Sequence, residues 1–190
     1  MTYIKHTFPL EALLPALLEL AEPILDSDLA LGEIRRTYQH SSHPDTRVVY
    51  LVVPKNFLDY FTCKIGQVVE TAAASRYPSC MNLVRQALNL LNLPEERLGY
   101  VMLAMLPPGG IIKPHIDGGD YAARTQRYHI VLTEEGSTFG FGEDLEDNHF
   151  GQGSLIQFPH RVLHAGWNNG TGNRIDIIFD VFLPVEEEQS

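Results

Sequence analysis

Apolar residues recur at helical spacing in the first half of the chain and give way, near residue 95, to short apolar runs broken by glycine and proline. Leu10, Leu13, Leu14, Leu17, Leu18 and Ala21 form one stripe at the period of an amphipathic helix. Cys63 to Ala74 and Met81 to Leu91 read the same way, the last with Ser79 as N-cap and Pro94 as a stop. Between the first two helices, Ile34 to Gln39 and Arg47 to Val53 predict strands separated by the turn-rich segment His40 to Asp45. Further strands are predicted at Tyr100 to Leu106, Ile111 to Asp117, Gln126 to Thr133, Ser137 to Gly142, Ser154 to Phe158, Val162 to Trp167 and Arg174 to Leu183. Turn signals separate them, among them Pro107-Pro108-Gly109-Gly110, Gly118-Gly119-Asp120, Gly151-Gln152-Gly153 and Asn168-Asn169-Gly170. Many short strands with such punctuation predict a mainly β fold with some α, a sandwich or jelly roll; an unspecialised α+β domain is the plainer alternative.

Composition adds bounds. The 190 residues are 44% hydrophobic and 20% charged, which excludes a disordered or collagen-like chain and suits one compact domain. Within it, residues 1–95 read as a helical and strand region packing on a β core of 96–185, with 186–190 an acidic tail. The net charge of −10 argues against a nucleic-acid or anionic-membrane partner, since both demand basic surface. Cys63 and Cys80 are too few for a disulfide framework and read as reduced core thiols. The apolar stretch from Phe8 to Leu25 is interrupted by Glu and Pro, unlike a secretory signal, and no run reaches the ~18 residues of a membrane span; the expectation is cytoplasmic.

Histidines and carboxylates carry the candidate chemistry. In His115-Ile116-Asp117, side chains two apart on a strand share a face and can grip one metal ion. The pattern is weak alone and occurs twice, but His43-Pro44-Asp45 sits in a turn with a proline and reads as a surface loop. A third ligand is then needed. His164 is the candidate, with His160 as rival, because folding the chain about Asn169-Gly170 sets Arg174 across from His164 on one face. Arg127 and His129, also two apart on an apolar strand, are costly on an interior face without a polar partner. Two neutral imidazoles and one carboxylate with open positions form the facial arrangement of non-haem Fe(II) oxygenases.

The segment Leu106 to Asp117 resembles the entry to the metal site of Fe(II)/2-oxoglutarate-dependent dioxygenases. Arg127-Tyr128-His129, followed by His164-Ala165-Gly166-Trp167-Asn168-Asn169, Arg174 and Ile178-Phe179-Asp180-Val181, is similar to the aspartyl/asparaginyl β-hydroxylase family. The resemblance spans roughly residues 100–184. It implies a double-stranded β-helix holding Fe(II) at its open end through His115, Asp117 and His164. Arg174 would pair with the distal carboxylate of 2-oxoglutarate, for which a bidentate guanidinium is suited. His129 would lie near the carboxylate at the keto end, and Arg127 near the co-substrate or the substrate's own carboxylate. The implied reaction uses O2, converts 2-oxoglutarate to succinate and CO2, and hydroxylates an amino-acid-like substrate, free or in a peptide. Animal members of the family lack the acidic ligand that Asp117 supplies, which favours a bacterial-type or small-molecule hydroxylase and argues against halogenation.

Two other classes fit the same barrel: a cupin-like module that binds metal and small carboxylates without turnover, and a metal-dependent isomerase or dioxygenase that does not use 2-oxoglutarate. Arg174 discriminates, since a barrel without a dicarboxylate has little need of that cation. Among remaining residues, Glu143 to Asp147 reads as a solvated loop. Asp120 or Tyr121 could touch substrate from a mobile loop or sit in an ordinary turn, and Trp167 reads as core.

Overall fold

The computed structural model describes residues 3–21, 24, 28–30, 41–56, 62–134 and 136–184. The strand expected over 34–39 and the acidic run 186–188 lie outside the described residues. The described strands are β1 (Ile4–Thr7), β2 (Arg47–Pro54), β3 (Val68–Glu70), β4 (Leu98–Leu106), β5 (Ile111–His115), β6 (Thr125–Thr133), β7 (Ser137–Phe141), β8 (Glu146–Asn148), β9 (Ser154–Phe158), β10 (His164–Asn168) and β11 (Arg174–Phe182). Helices among the described residues include α1 (Leu10–Ala21), α2 (Ala72–Arg76), α3 (Pro78–Leu90) and α4 (Gly119–Arg124).

Seven strands make one sheet in the order β1-β9-β6-β11-β4-β2-β3, and four make a second in the order β5-β10-β7-β8. Every described pairing is antiparallel. From β4 to β11 the chain passes back and forth between the sheets. Strands β4, β6, β9 and β11 face β5, β7, β8 and β10 as a double-stranded β-helix, the predicted jelly roll.

The long runs of β2, β4 and β6 are apolar on both faces because both faces are covered. The outer face (Val49, Leu51, Val101, Leu103, Ile130, Leu132, Ile177, Phe179) packs with Leu13 and Ala16 of α1 and with Leu83, Val84, Ala87 and Leu88 of α3. On the inner face, Val131, Ile156 and Phe158 meet Phe139 and Phe141 of the smaller sheet. A further interior cluster joins Tyr50, Tyr100, Met102, Tyr121 and Phe182.

Several local expectations change. Helix α1 buries Leu13 and Ala16 but exposes Leu10, Leu14 and Leu18; it is apolar on most sides, so periodicity does not select the packed face. Cys63 to Ala74 is not one helix. Gly66 takes a positive φ, β-branched Val68 and Val69 pair with β2, and helix α2 starts only at Ala72, capped by Thr71. Ser79 does not cap α3: Pro78 holds the first turn, and the Ser79 amide donates to Glu19 of α1 at 2.9 Å. Gly118-Gly119-Asp120 opens the short helix α4 rather than a mobile turn. Part of the acidic stretch is not loop, because Glu146 and Asp147 form edge strand β8, where charge blocks further pairing. Both cysteines are buried thiols, and burial pushes the Cys80 thiol up to about 12. No helix among the described residues is long and apolar enough to cross a membrane.

Candidate metal and anion site

His115 ends β5 and His164 begins β10, and the two are directly paired in register with ring centroids 4.2 Å apart. β5 is the edge of its sheet, which tolerates Pro114 one residue before the histidine. Asp117 follows two residues later, its amide donating to the His160 carbonyl at 2.9 Å. One potential ligand atom from each of His115, Asp117 and His164 lies within 4.8 Å of the others.

The donor set fits a divalent ion. Nδ1 of His115 donates to the Lys113 carbonyl and Nδ1 of His164 to the Val162 carbonyl, both at 2.8 Å, which leaves each Nε2 with a lone pair. Among the described residues, His115 Nε2 is buried without a hydrogen-bond partner, as a cation would require. Burial pulls the His164 pKa down to about 4, so its ring is neutral at ordinary pH. The rival His160 turns away, with Nε2 donating to the Ala122 carbonyl at 3.1 Å.

Arg127 grips the acidic member. Its Nη1 donates to Asp117 Oδ2 at 2.6 Å, while Nε and Nη2 donate to the two oxygens of fully buried Asp180 at 2.8 and 2.9 Å. Asp117 Oδ1 lies 3.5 Å from His115 Nε2. The resemblance set Arg127 near the co-substrate or the substrate's carboxylate; here its guanidinium meets two carboxylates of the protein itself.

A second polar group lies on the inner face of the larger sheet. Arg174, 2% exposed, donates from Nε and Nη2 to Asp176 Oδ2 and from Nη1 to the Ser137 hydroxyl, and lies 4.7 Å over the Phe139 ring. Asp176 also meets Nδ1 of His129 at 3.1 Å, and the His129 ring stacks on Phe158 at 4.2 Å. Burial works to raise the Asp176 pKa, but Arg174 and His129 outweigh it and hold the carboxyl below its usual range. Burial lowers the His129 pKa against the opposing pull of Asp176.

His164 and Arg174 do not meet as neighbours in a hairpin. β10 pairs with β5 and β7, and β11 with β4 and β6, so the Asn168–Gly172 turn crosses between the sheets. Both residues nonetheless line one cleft, partly open to solvent, together with Arg127, His129, Phe139, Phe158 and Asp176. The crossing is stitched by Asn168, whose amide group donates to the Leu106 and Gly172 carbonyls at 2.8 Å.

The segment around His43 is not a bland surface loop. His43 lines the cleft and its ring meets His115 edge-on at 4.6 Å, while Thr46 lies beside it in the same wall. The segment is tied to β5 through Ile111, whose amide donates to Asp45 Oδ2 at 3.0 Å, and Lys113, whose amide donates to the Ser42 carbonyl at 2.8 Å. Tyr121 does not reach the cleft: it stacks on Tyr100 at 4.3 Å and its hydroxyl accepts from the Tyr100 amide. Asp176 and Asp180 were missed as site residues, although strand alternation puts them two and six positions beyond Arg174 on one face. Nothing local in the sequence ties His43 or Thr46 to residues sixty or more positions away.

A double-stranded β-helix with a His-Asp-His cluster and a buried arginine in its interior defines a cupin-type barrel with a candidate metal site. The family model for aspartyl/asparaginyl beta-hydroxylase matches residues 34–184, and the chain belongs to that family. No curated protein matches it in sequence. Among solved structures, it is similar to an oxidoreductase of the 2OG-Fe(II) oxygenase family from Burkholderia pseudomallei, at 13% identity over 72% of this chain and 67% of that one, with a TM-score of 0.52. More distant are a protein from Thermotoga maritima described as a predicted oxalate decarboxylase (15% identity, 52% of this chain and 74% of that one, TM-score 0.37) and an uncharacterised double-stranded β-helix protein from Klebsiella pneumoniae (18% identity, 43% and 62%, TM-score 0.36). Family and architecture together make the chain a hydroxylase-type oxidoreductase.

Proposed function

We propose that this chain is an Fe(II)- and 2-oxoglutarate-dependent dioxygenase that hydroxylates an amino-acid-like, carboxylate-bearing substrate. The observation that carries the reading is the convergence of His115, Asp117 and His164 beside a cleft that also holds buried Arg174. The three donors would hold Fe(II), whose role when bound is to activate O2 at the open positions of a two-histidine, one-carboxylate set.

The chain's own residues do the rest. Carbonyls of Lys113 and Val162 fix both imidazole tautomers so that Nε2 faces inward. Arg127, held by Asp180, engages one oxygen of Asp117 and leaves the other for the ion. Arg174 receives the distal carboxylate of 2-oxoglutarate through guanidinium N–H groups not given to Asp176 and Ser137. His129, oriented by Asp176, stands near the keto-end carboxylate. Phe139 and Phe158 exclude water from the cleft walls, which strengthens each of these polar contacts.

The test is anaerobic addition of Fe(II) and 2-oxoglutarate, expected to give a weak visible charge-transfer band that is lost in Arg174→Ala at limiting co-substrate. In air, a screen of amino acids and short peptides should yield succinate and a product carrying one added oxygen. Bound iron with neither band nor succinate would favour the non-catalytic binding module.

A further inference from the structure

One buried polar atom in the cleft has no task in the scheme above. Thr46 is 5% exposed and its hydroxyl oxygen has no hydrogen-bond partner among the described residues, although it lines the cleft with Arg174 and His129. A buried hydroxyl left without a partner is costly, and such atoms in a cavity mark where a ligand's polar group arrives.

We infer that the Thr46 hydroxyl is a binding group for the carboxylate that Arg174 receives, an inference that rests on the 2-oxoglutarate reading. Position supports it first. Arg47 pairs with Met105, and continuing that register sets Thr46 beside Leu106, which is itself paired with Arg174. The three residues therefore form one row across β2, β4 and β11 on the sheet face that lines the cleft, about two strand spacings, or ~10 Å, from end to end.

Donor supply is the second argument. A guanidinium has five N–H groups, and Arg174 directs Nε and one Nη2 hydrogen to Asp176 and one Nη1 hydrogen to Ser137. Asp176 also balances its charge. A carboxylate seated there gains less from Arg174 than it would from a bare cation, and a neutral O–H donor opposite supplies what is missing. The placement is rigid, since Ser42 and Asp45 tie the Thr46 segment to the strand that ends in His115.

The experiment is calorimetric titration of the Mn(II)-loaded protein, without oxygen, with 2-oxoglutarate and with 2-oxobutyrate, which lacks the distal carboxylate. Thr46→Val should weaken 2-oxoglutarate about tenfold or more, the size expected for a lost hydrogen bond to a charged group. Its affinity for 2-oxobutyrate and for Mn(II) should be unchanged. Thr46→Ser, which keeps the hydroxyl, should restore most of the loss. Should the valine variant fold poorly, Thr46→Ala serves in its place. Wild-type binding of 2-oxoglutarate that survives loss of the hydroxyl overturns the inference alone, as does an equal loss for both ligands. Failure of the wild-type protein to bind 2-oxoglutarate instead overturns the co-substrate reading.

Discussion

Arg127 is the side chain on which the metal cluster's geometry turns, because it is the common partner of Asp117 and Asp180. Asp180 is fully buried and does not line the cleft, so its effect passes through the guanidinium. Asp180→Asn should free Arg127 to shift and loosen Asp117. The expected result is a loss of about 10- to 100-fold in metal affinity, the usual scale for removing a group behind a ligand. Folding stability should fall by roughly 3–5 kcal/mol, because a guanidinium that is only partly exposed loses its charge partner. Titration with Co(II), followed by absorbance, reads the first effect and chemical denaturation the second; unchanged Co(II) affinity would remove Asp180 from the site's account. The histidines give a second expectation at this scale. Burial lowers the pKa of both His129 and His164, the latter to about 4. An unfolded chain takes up protons near the ordinary value of about 6.5, whereas the folded one refuses them until lower pH. The stability these groups contribute is thus present above about pH 6.5 and is lost as pH falls toward 4. His164 accounts for on the order of 3 kcal/mol at most. In the metal-free protein, the thermal midpoint should fall between pH 7 and 4.5, and His164→Asn should flatten that fall.

At the scale of elements, legibility followed locality. Strand β9 was readable to the residue, and β4, β6 and β11 to within two, because apolar runs bounded by glycine and proline identify strands buried on both faces. The His-x-Asp and Arg-x-His pairs were readable because alternation along one strand is a local rule. What depends on which strands become neighbours was not. The Asn169-Gly170 signal marks a turn truly, but sheet pairing makes it a crossover instead of a hairpin, with β11 already flanked by β4 and β6. The place of His43 and Thr46 in the cleft wall was hidden for the same reason, since only the fold brings their segment to β5 and to the cleft that Arg174 also lines. β1 was also missed, a short strand whose four residues are all exposed and which is held to β9 by pairing rather than by an apolar pattern. Its anchorage makes Gly153 a sensitive position. This residue has φ +84°, donates to the Val131 carbonyl and accepts from the Phe8 amide, and a Cβ there would collide with the Phe8 carbonyl oxygen. Gly153→Ala should cost roughly 2–3 kcal/mol. In a chain of this size that lowers the thermal midpoint by about 5–10 °C, measurable by calorimetry. A variant as stable as the parent would mean that β1 contributes nothing to the sheet.

For the molecule as a whole, the division of labour between the two sheets sets how ligands should stabilise it. His115 and His164 belong to the four-stranded sheet and Asp117 follows directly from it, whereas Arg174, Asp176 and His129 belong to the seven-stranded one. An ion held by the first group fastens β5 to β10 and to the segment carrying Asp117. A dicarboxylate reaching from that ion to Arg174 would in addition clamp one sheet to the other across the cleft. A ligand that binds the folded chain and not the unfolded one adds RT ln(1 + [L]/Kd), about 2.7 kcal/mol at a hundredfold excess over Kd. The thermal midpoint should therefore rise in two steps of roughly 5–10 °C, first with Mn(II), then with 2-oxoglutarate. The second step should depend on the first, because without the ion the keto acid would keep only its proposed contacts with Arg174 and His129. Arg174→Lys preserves a positive charge beside Asp176 but loses the planar fork, so it should keep the metal step and shrink the second. His164→Asn should abolish both. A 2-oxoglutarate step of full size without metal, or one that is indifferent to Arg174→Lys, would place the dicarboxylate somewhere other than across this cleft.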